Sequence, residues 1–249
     1  RNELRVANVL VGEVWLCSGQ SNMEYPVNPD GVPPDFLALD RQADETAAAN
    51  FPLIRCFKVN TQASASPAAT LQGAWVACAP EAMRRFTAVG YFFARDLHQS
   101  LGLPIGIIDC SWGGTPIESW LSAESLASRP EFRVVAERWQ RQLEAYPAAR
   151  ARFEADLRAW QLLETAAAAQ GADIHAAFLK AHRKPRPPRG ADSPTAPASL
   201  YNGMIAPVIP YALRGTLWYQ GESNATRAGE YHALFTALIR GWREAWGQG

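Results

Sequence analysis

Three short polar segments hold the residue types that acyl transfer requires. The first, Gly19-Gln20-Ser21-Asn22-Met23, places a serine two residues after a glycine. A serine hydroxyl acts as a nucleophile when a sharp turn exposes it and a base accepts its proton, and its own N–H can then donate to an oxyanion. The pattern is Gly-x-Ser-x-Met, not the Gly-x-Ser-x-Gly elbow of α/β-hydrolases. By spacing alone, a serine here reads first as a helix cap. The second segment, Ser111-Trp112-Gly113-Gly114-Thr115, has two glycines that let the backbone approach a ligand and present N–H groups. Its plain alternative is a glycine turn before a helix starting near Pro116. The third is Gln220-Gly221-Glu222-Ser223-Asn224. The Gln220 amide is a neutral donor of the kind an oxyanion hole uses. Glu222 and Asn224 orient this loop or cap the last helix, and Glu222 reads as an orienting group rather than a catalytic one.

The elements around these segments explain why they would meet. Glu13 to Ser18, Leu53 to Val59, Ala74 to Cys78, Ile105 to Asp109 and Gly215 to Tyr219 are short apolar runs that read as strands. Three of them lead straight into the polar segments. Thr87 to Leu101 reads as an amphipathic helix capped by Thr87 and closed by Gly102, with Val89, Phe92, Phe93, Leu97 and Leu101 as its apolar stripe. A last helix from about Gly229 to Trp246 buries Tyr231, Leu234, Phe235, Leu238, Trp242 and Trp246. Residues 26 to 50 read as a long loop with a helical turn. Residues from about 131 to 183 read as a helical excursion, and Lys184 to Pro197 as an extended, proline-rich linker. Strands alternating with amphipathic helices predict an α/β fold with a mainly parallel sheet. In such sheets ligands bind at the C-terminal ends of the strands, where all three segments would lie.

Composition narrows the functional classes. The 249 residues suit one domain, 1–249, carrying a helical insertion and linker at about 126–198. Hydrophobic residues make up 48% and charged residues 19%, with 24 Lys and Arg balancing 24 Asp and Glu. Zero net charge argues against a general nucleic-acid binder. No apolar run is long enough to span a bilayer. Cys17, Cys56, Cys78 and Cys110 form no Cys-x-x-Cys pair, so no zinc site is expected. They read as buried thiols, with one or two disulfides as the alternative in an exported protein.

Longer stretches around the three segments carry a family resemblance. Trp15-Leu16-Cys17-Ser18-Gly19-Gln20-Ser21-Asn22-Met23-Glu24 resembles the nucleophile block of the sialate O-acetylesterases, a family of SGNH (GDSL-like) hydrolases. The second block is resembled by Asp109-Cys110-Ser111-Trp112-Gly113-Gly114-Thr115-Pro116-Ile117-Glu118-Ser119-Trp120. Leu200-Tyr201-Asn202-Gly203-Met204-Ile205-Ala206-Pro207 and Leu217-Trp218-Tyr219-Gln220-Gly221-Glu222-Ser223-Asn224-Ala225 resemble the third region. The matches come in the family's order from about residue 10 to 246.

The resemblance implies a flavodoxin-like three-layer sandwich and a serine esterase that removes O-acetyl groups from sialic acids or plant cell-wall glycans. Ser21 would attack the acetyl carbonyl. The N–H groups of Ser21 and Gly113 would hold the oxyanion, with Gly114 a weaker candidate. A third donor would be the side chain of Gln220 or, second, of Asn224. Gln20, Asn22 and Glu222 would lie beside the site. No metal or organic cofactor is implied, and the partner is an O-acetylated sugar or glycan. A periplasmic or secreted location is favoured by the resemblance. Trp112, Trp120, Trp218 and Tyr219 offer faces on which a sugar could stack, though several, Trp218 above all, also read as core.

The general base is the missing part. The resemblance implies a histidine in an Asp-x-x-His segment after the third block. The four histidines, His98, His175, His182 and His232, have no aspartate three positions before them. His98 reads as structural, His182 as part of a solvated basic stretch, and Asp173-Ile174-His175 as a decoy within the insertion. His232 is the remaining local candidate. The expectation is therefore a chain that begins after an N-terminal β-domain and whose base lies beyond Gly249. Two other readings compete: a carbohydrate-binding SGNH remnant without catalysis, and a GDSL-type esterase for other short-chain acyl esters.

Overall fold

The computed structural model describes residues 5–28 and 40–247; part of the 26–50 loop therefore lies outside the described residues. Five strands, β1 (Glu13–Gly19), β2 (Phe51–Lys58), β3 (Trp75–Cys78), β4 (Ile105–Ser111) and β5 (Gly215–Tyr219), form one sheet in the order β3-β2-β4-β1-β5. Only β3 runs antiparallel, at an edge beside β2. The helices are α1 (Ser21–Glu24), α2 (Gln42–Ala48), α3 (Ala88–Leu101), α4 (Ala123–Ala127), α5 (Arg133–Ala169), α6 (Ala172–Ala181) and α7 (Ala228–Ala245).

The central strands are apolar on both faces, as parallel strands between two helical layers must be. Leu16, Ile108 and Cys110 point into one core with Leu234, Leu238 and Trp242 of α7. Their neighbours Cys17, Ile105 and Ile107 point into the other with Tyr91 and Ala94 of α3. The period of two along each strand divides one run of sequence between two cores. The result is the α/β three-layer sandwich expected.

Helix α3 begins and ends as read: the Thr87 hydroxyl accepts from the Gly90 N–H, and Gly102 closes it at φ 67°. The buried face differs. Ala88, Gly90, Tyr91 and Ala94 are buried, whereas Val89, Phe92, Phe93 and Leu97 pack at its flanks and Leu101 is exposed. A Cβ on Gly90 would lie 3.0 Å from Cys17 Sγ and 3.2 Å from Ile107. The helix lies so close to the sheet that small residues face it and large ones wrap its sides.

The helical excursion is a hairpin, α5 returning through Gln170-Gly171 into α6. Trp160 and Phe178 pack across it, and His175 Nε2 meets Glu164 Oε1 at 2.7 Å. The chain then runs back along α5 in extended form. The linker read over 184–197 ends earlier than expected: from Gly190 onward the chain turns into the core, burying Ser193, Thr195, Ala196, Ala198, Ser199 and Leu200. The four cysteines are buried free thiols. No helix among the described residues is long and apolar enough to cross a membrane.

Candidate active site

Gly19 pairs with Ser111 on one side and Tyr219 on the other, so three strands end at one level. The crossing is tied by Trp112 N–H to Gly19 O at 3.1 Å and Gln20 N–H to Tyr219 O at 3.0 Å. Gly19 has φ 143°, and a Cβ there would lie 2.1 Å from the Tyr219 carbonyl oxygen. Only glycine lets β1 bend between two neighbouring backbones at this point.

The bend delivers Ser21 as the first residue of α1, exposed, with its N–H free of any intrahelical partner. Gly113 stands beside it: a Cβ on Gly113 would sit 3.4 Å from Ser21 Cβ and 3.0 Å from Glu24 Oε2. Gly114 follows at φ 73°, completing the turn. The Gly113 N–H donates to Glu24 Oε2 at 2.7 Å. A carboxylate thus occupies the donor that the resemblance assigns to an oxyanion. Sequence reading missed Glu24, although its position three residues after Ser21 on one helix turn places it on the same side.

Gln20 joins the first segment to the third. Its buried Oε1 accepts from Ser223 N–H at 3.1 Å, Gln220 Nε2 at 3.2 Å and, at 3.5 Å, Gly221 N–H. Gln220 Nε2 also donates to Asn224 Oδ1 at 2.8 Å and Thr115 O at 3.1 Å. Asn22 Nδ2 donates to Glu222 Oε1 at 2.5 Å. The structure therefore brings Ser21, Gln20, Asn22, Gly113, Gln220 and Glu222 together. Asn224 is buried just behind them, its Oδ1 accepting from Ile117 N–H at 2.9 Å and its Nδ2 donating to Glu118 Oε2 at 2.8 Å. Glu118, itself buried, also binds Arg227 at 3.0 Å and Arg138 of α5 at 3.5 Å.

Beneath the site Asp109 is fully buried, paired with Lys58 at 2.8 Å and accepting from Ser111 Oγ at 2.5 Å. Burial raises its pKa against the pull of Lys58 and Ser111. The Lys58 pKa rises overall: burial opposes its charge, but the Asp109 carboxylate and then Glu24 outweigh that.

Several expectations change. The helix expected near Pro116 is a single 3-10 turn, Ile117–Ser119, with Pro116 as its cap rather than its first residue and its first N–H taken by Asn224. Trp120 is fully buried, its indole N–H bonded to Thr115 Oγ1, so it offers no stacking face. Trp218 packs edge-on between Trp120 and Trp242. Trp112 is half-buried and Tyr219 exposed. The histidines stand apart from the hydrogen-bonded cluster. His98 Nδ1 meets Leu103 O, His175 meets Glu164, His182 meets Phe178 O, and His232 is exposed on α7.

Residues 11–154 match the family model for carbohydrate esterases described as sialic acid-specific acetylesterases. The chain belongs to this family. It is 31% identical to the sialate O-acetylesterase of Rattus norvegicus over 99% of this chain and 42% of that protein. The Homo sapiens sialate O-acetylesterase is 29% identical over 99% of this chain and 38% of its own length. A solved carbohydrate acetylesterase from Xanthomonas citri superposes with a TM-score of 0.63 at 33% identity, over 95% of this chain and 39% of that one. The chain thus spans about two fifths of the length of these acetylesterase relatives.

Proposed function

We propose that this chain carries the nucleophile and oxyanion donors of a serine esterase that removes O-acetyl groups from carbohydrates. The observation that carries the reading is an exposed Ser21 at a glycine-enforced bend, with the Gly113 backbone beside it. In this reading Ser21 Oγ attacks the acetyl carbonyl and its proton passes to a base. The tetrahedral oxyanion rests on the N–H groups of Ser21 and Gly113; the Gln220 amide becomes a third donor only by releasing Gln20 or Thr115, and the Asn224 amide only by releasing Glu118. Collapse breaks the bond to the sugar oxygen, which takes up the proton from the base and departs as a hydroxyl, leaving acetyl-Ser21; water then releases acetate and returns a proton to Ser21. None of the four histidines joins the hydrogen-bonded cluster around Ser21, so this reading leaves the base to a group outside that cluster. Glu24 leaves the Gly113 N–H when the carbonyl oxygen arrives.

The test is turnover of an aryl acetate and of O-acetylated sialic acid or xylan by a protein extended past Gly249. Ser21→Ala should abolish turnover of both while the fold persists. Retained turnover in Ser21→Ala would overturn the assignment. Strong hydrolysis by the 249-residue chain alone, abolished by His232→Ala, would place the base on α7 instead.

A further inference from the structure

The overall charge balance conceals a segregation. Residues 133–189 hold eleven Arg and Lys against six Asp and Glu, although the whole chain has 24 of each. The excess concentrates in Arg183-Lys184-Pro185-Arg186-Pro187-Pro188-Arg189. This stretch is the return path along α5, pinned by Trp160 Nε1 to His182 O at 3.0 Å and by Gln142 Nε2 to Arg189 O at 3.1 Å.

The anchors fix its conformation. Trp160 and Gln142 lie about 27 Å apart along a helix that rises ~1.5 Å per residue. His182 to Arg189 would cover only about 11 Å if helical, but about 22 Å in polyproline II form at ~3.1 Å per residue. Pro185, Pro187 and Pro188 fix their own φ and hold the preceding residues extended. With three residues per turn, Arg183, Arg186 and Arg189 share one face, successive guanidinium groups about 9 Å apart. All three are exposed, and none forms an ion pair among the described residues. Lys184 is turned aside, over the Trp160 ring at 5.8 Å. The ladder ends beside Gln142, one helical turn from Arg138, which reaches Glu118 behind the site.

We infer that this arginine ladder is a docking surface for an extended anionic polysaccharide bearing carboxylates along its chain. Guanidinium forks suit carboxylates, and prolines hold the forks in place so that little entropy is lost on binding. A spacing repeated over about 19 Å suits a polymer rather than a single sugar. The stretch has no apolar residues to insert into a lipid surface. The rings beside it are taken up within the arm, Trp160 under Lys184 and Tyr146 against Gly190, and the rest of the chain is net acidic, which disfavours a nucleic acid. That the anion is a carbohydrate rests on the esterase reading; the binding itself is measured without turnover.

The test is affinity electrophoresis and titration calorimetry of the intact 249-residue chain with polygalacturonate at low and high salt. Neutral galactan, duplex DNA and phosphatidylserine vesicles serve as comparisons. Binding to polygalacturonate should weaken as salt rises and fall about ten-fold in the triple variant Arg183→Ser, Arg186→Ser, Arg189→Ser, whose melting temperature should equal wild type. Arg→Lys at the same positions should lose less. No binding of polygalacturonate, equal binding of galactan, or equal affinity in the serine variant would overturn the proposal. So would tighter binding of DNA or vesicles. Loss of esterase turnover in Ser21→Ala tests the other reading and leaves this one standing.

Discussion

Replacing Gln20 by methionine keeps the length of the side chain and removes the acceptor that ties the nucleophile corner to the third segment. Gln20 Oε1 has three donors, but they are not equal. Gln220 Nε2 retains Asn224 Oδ1 and Thr115 O as acceptors, so it is not orphaned. Gly221 N–H, at 3.5 Å, contributes little. Ser223 N–H, at 3.1 Å, loses its partner outright. An orphaned donor costs about 1–3 kcal/mol, and Ser223 is half-buried, so water offsets part of the loss. The expected destabilisation is about 1.5 kcal/mol, or a fall in melting temperature of about 3–6 °C for a chain of this size. Amide exchange followed by NMR provides the site-specific reading. The Ser223 amide should lose protection, while the Asn224 amide, which donates to Gly221 O at 2.8 Å, should change less. An unchanged melting temperature together with an unchanged Ser223 exchange rate would refute the assignment of Gln20 as the tie.

Lys58→Met strips the partner from buried Asp109 and should cost about 3 kcal/mol, held near the low end because Lys58 is about a third exposed; urea unfolding measures it. Because burial raises the Asp109 pKa, the folded state binds its proton more tightly than the unfolded chain. Stability therefore falls as pH rises from the ordinary aspartate range through the folded pKa, and Asp109→Asn should remove that component from a pH series of unfolding midpoints. Glu24→Gln keeps the shape but replaces a charged acceptor of the Gly113 N–H by a neutral one. The difference of about 1 kcal/mol should raise kcat/KM for an aryl acetate about five-fold in the extended protein, and a fall would show that the carboxylate assists the reaction. Burial raises the thiol pKa values, Cys78 to about 11, so the four cysteines should resist a thiol reagent at mild alkaline pH until the chain unfolds.

The strands and the three polar segments were legible because their signals are local. β5 begins at Gly215 and ends at Tyr219 as read, and an apolar run ending in a glycine-containing polar segment needs no distant partner to be recognised. What was not legible depends on contacts far apart in sequence. Lys58 and Asp109, or Glu118 with Arg138 and Arg227, carry no periodic mark that pairs them. The short helix after Pro116 was legible, but the acceptor of its first N–H was not: Asn224, more than a hundred residues away, caps Ile117. On α3 the stripe that helical spacing marks runs through large residues, Val89, Phe92, Phe93, Leu97 and Leu101. The sheet instead selects Ala88, Gly90 and Ala94, because closeness of approach outweighs side-chain area there.

Those long-range contacts also show how firmly the insertion is tied to a site it does not line. Arg138 of α5 holds Glu230 bidentately at 3.0 Å and reaches Glu118 at 3.5 Å. Glu118 fixes Asn224, Asn224 fixes the Gln220 amide, and Gln220 meets Gln20 one residue before Ser21. Every link is a hydrogen bond between buried or half-buried side chains, where an unmade bond is expensive. The chain of contacts favours one arrangement of the corner rather than several. Its strength is uneven: Arg227 holds Glu118 more closely than Arg138 does, and Arg138 has a second carboxylate to satisfy it. The helical arm is therefore attached to the site's rear wall through its weakest link, so the arm can carry its own surface chemistry while the nucleophile corner keeps its geometry.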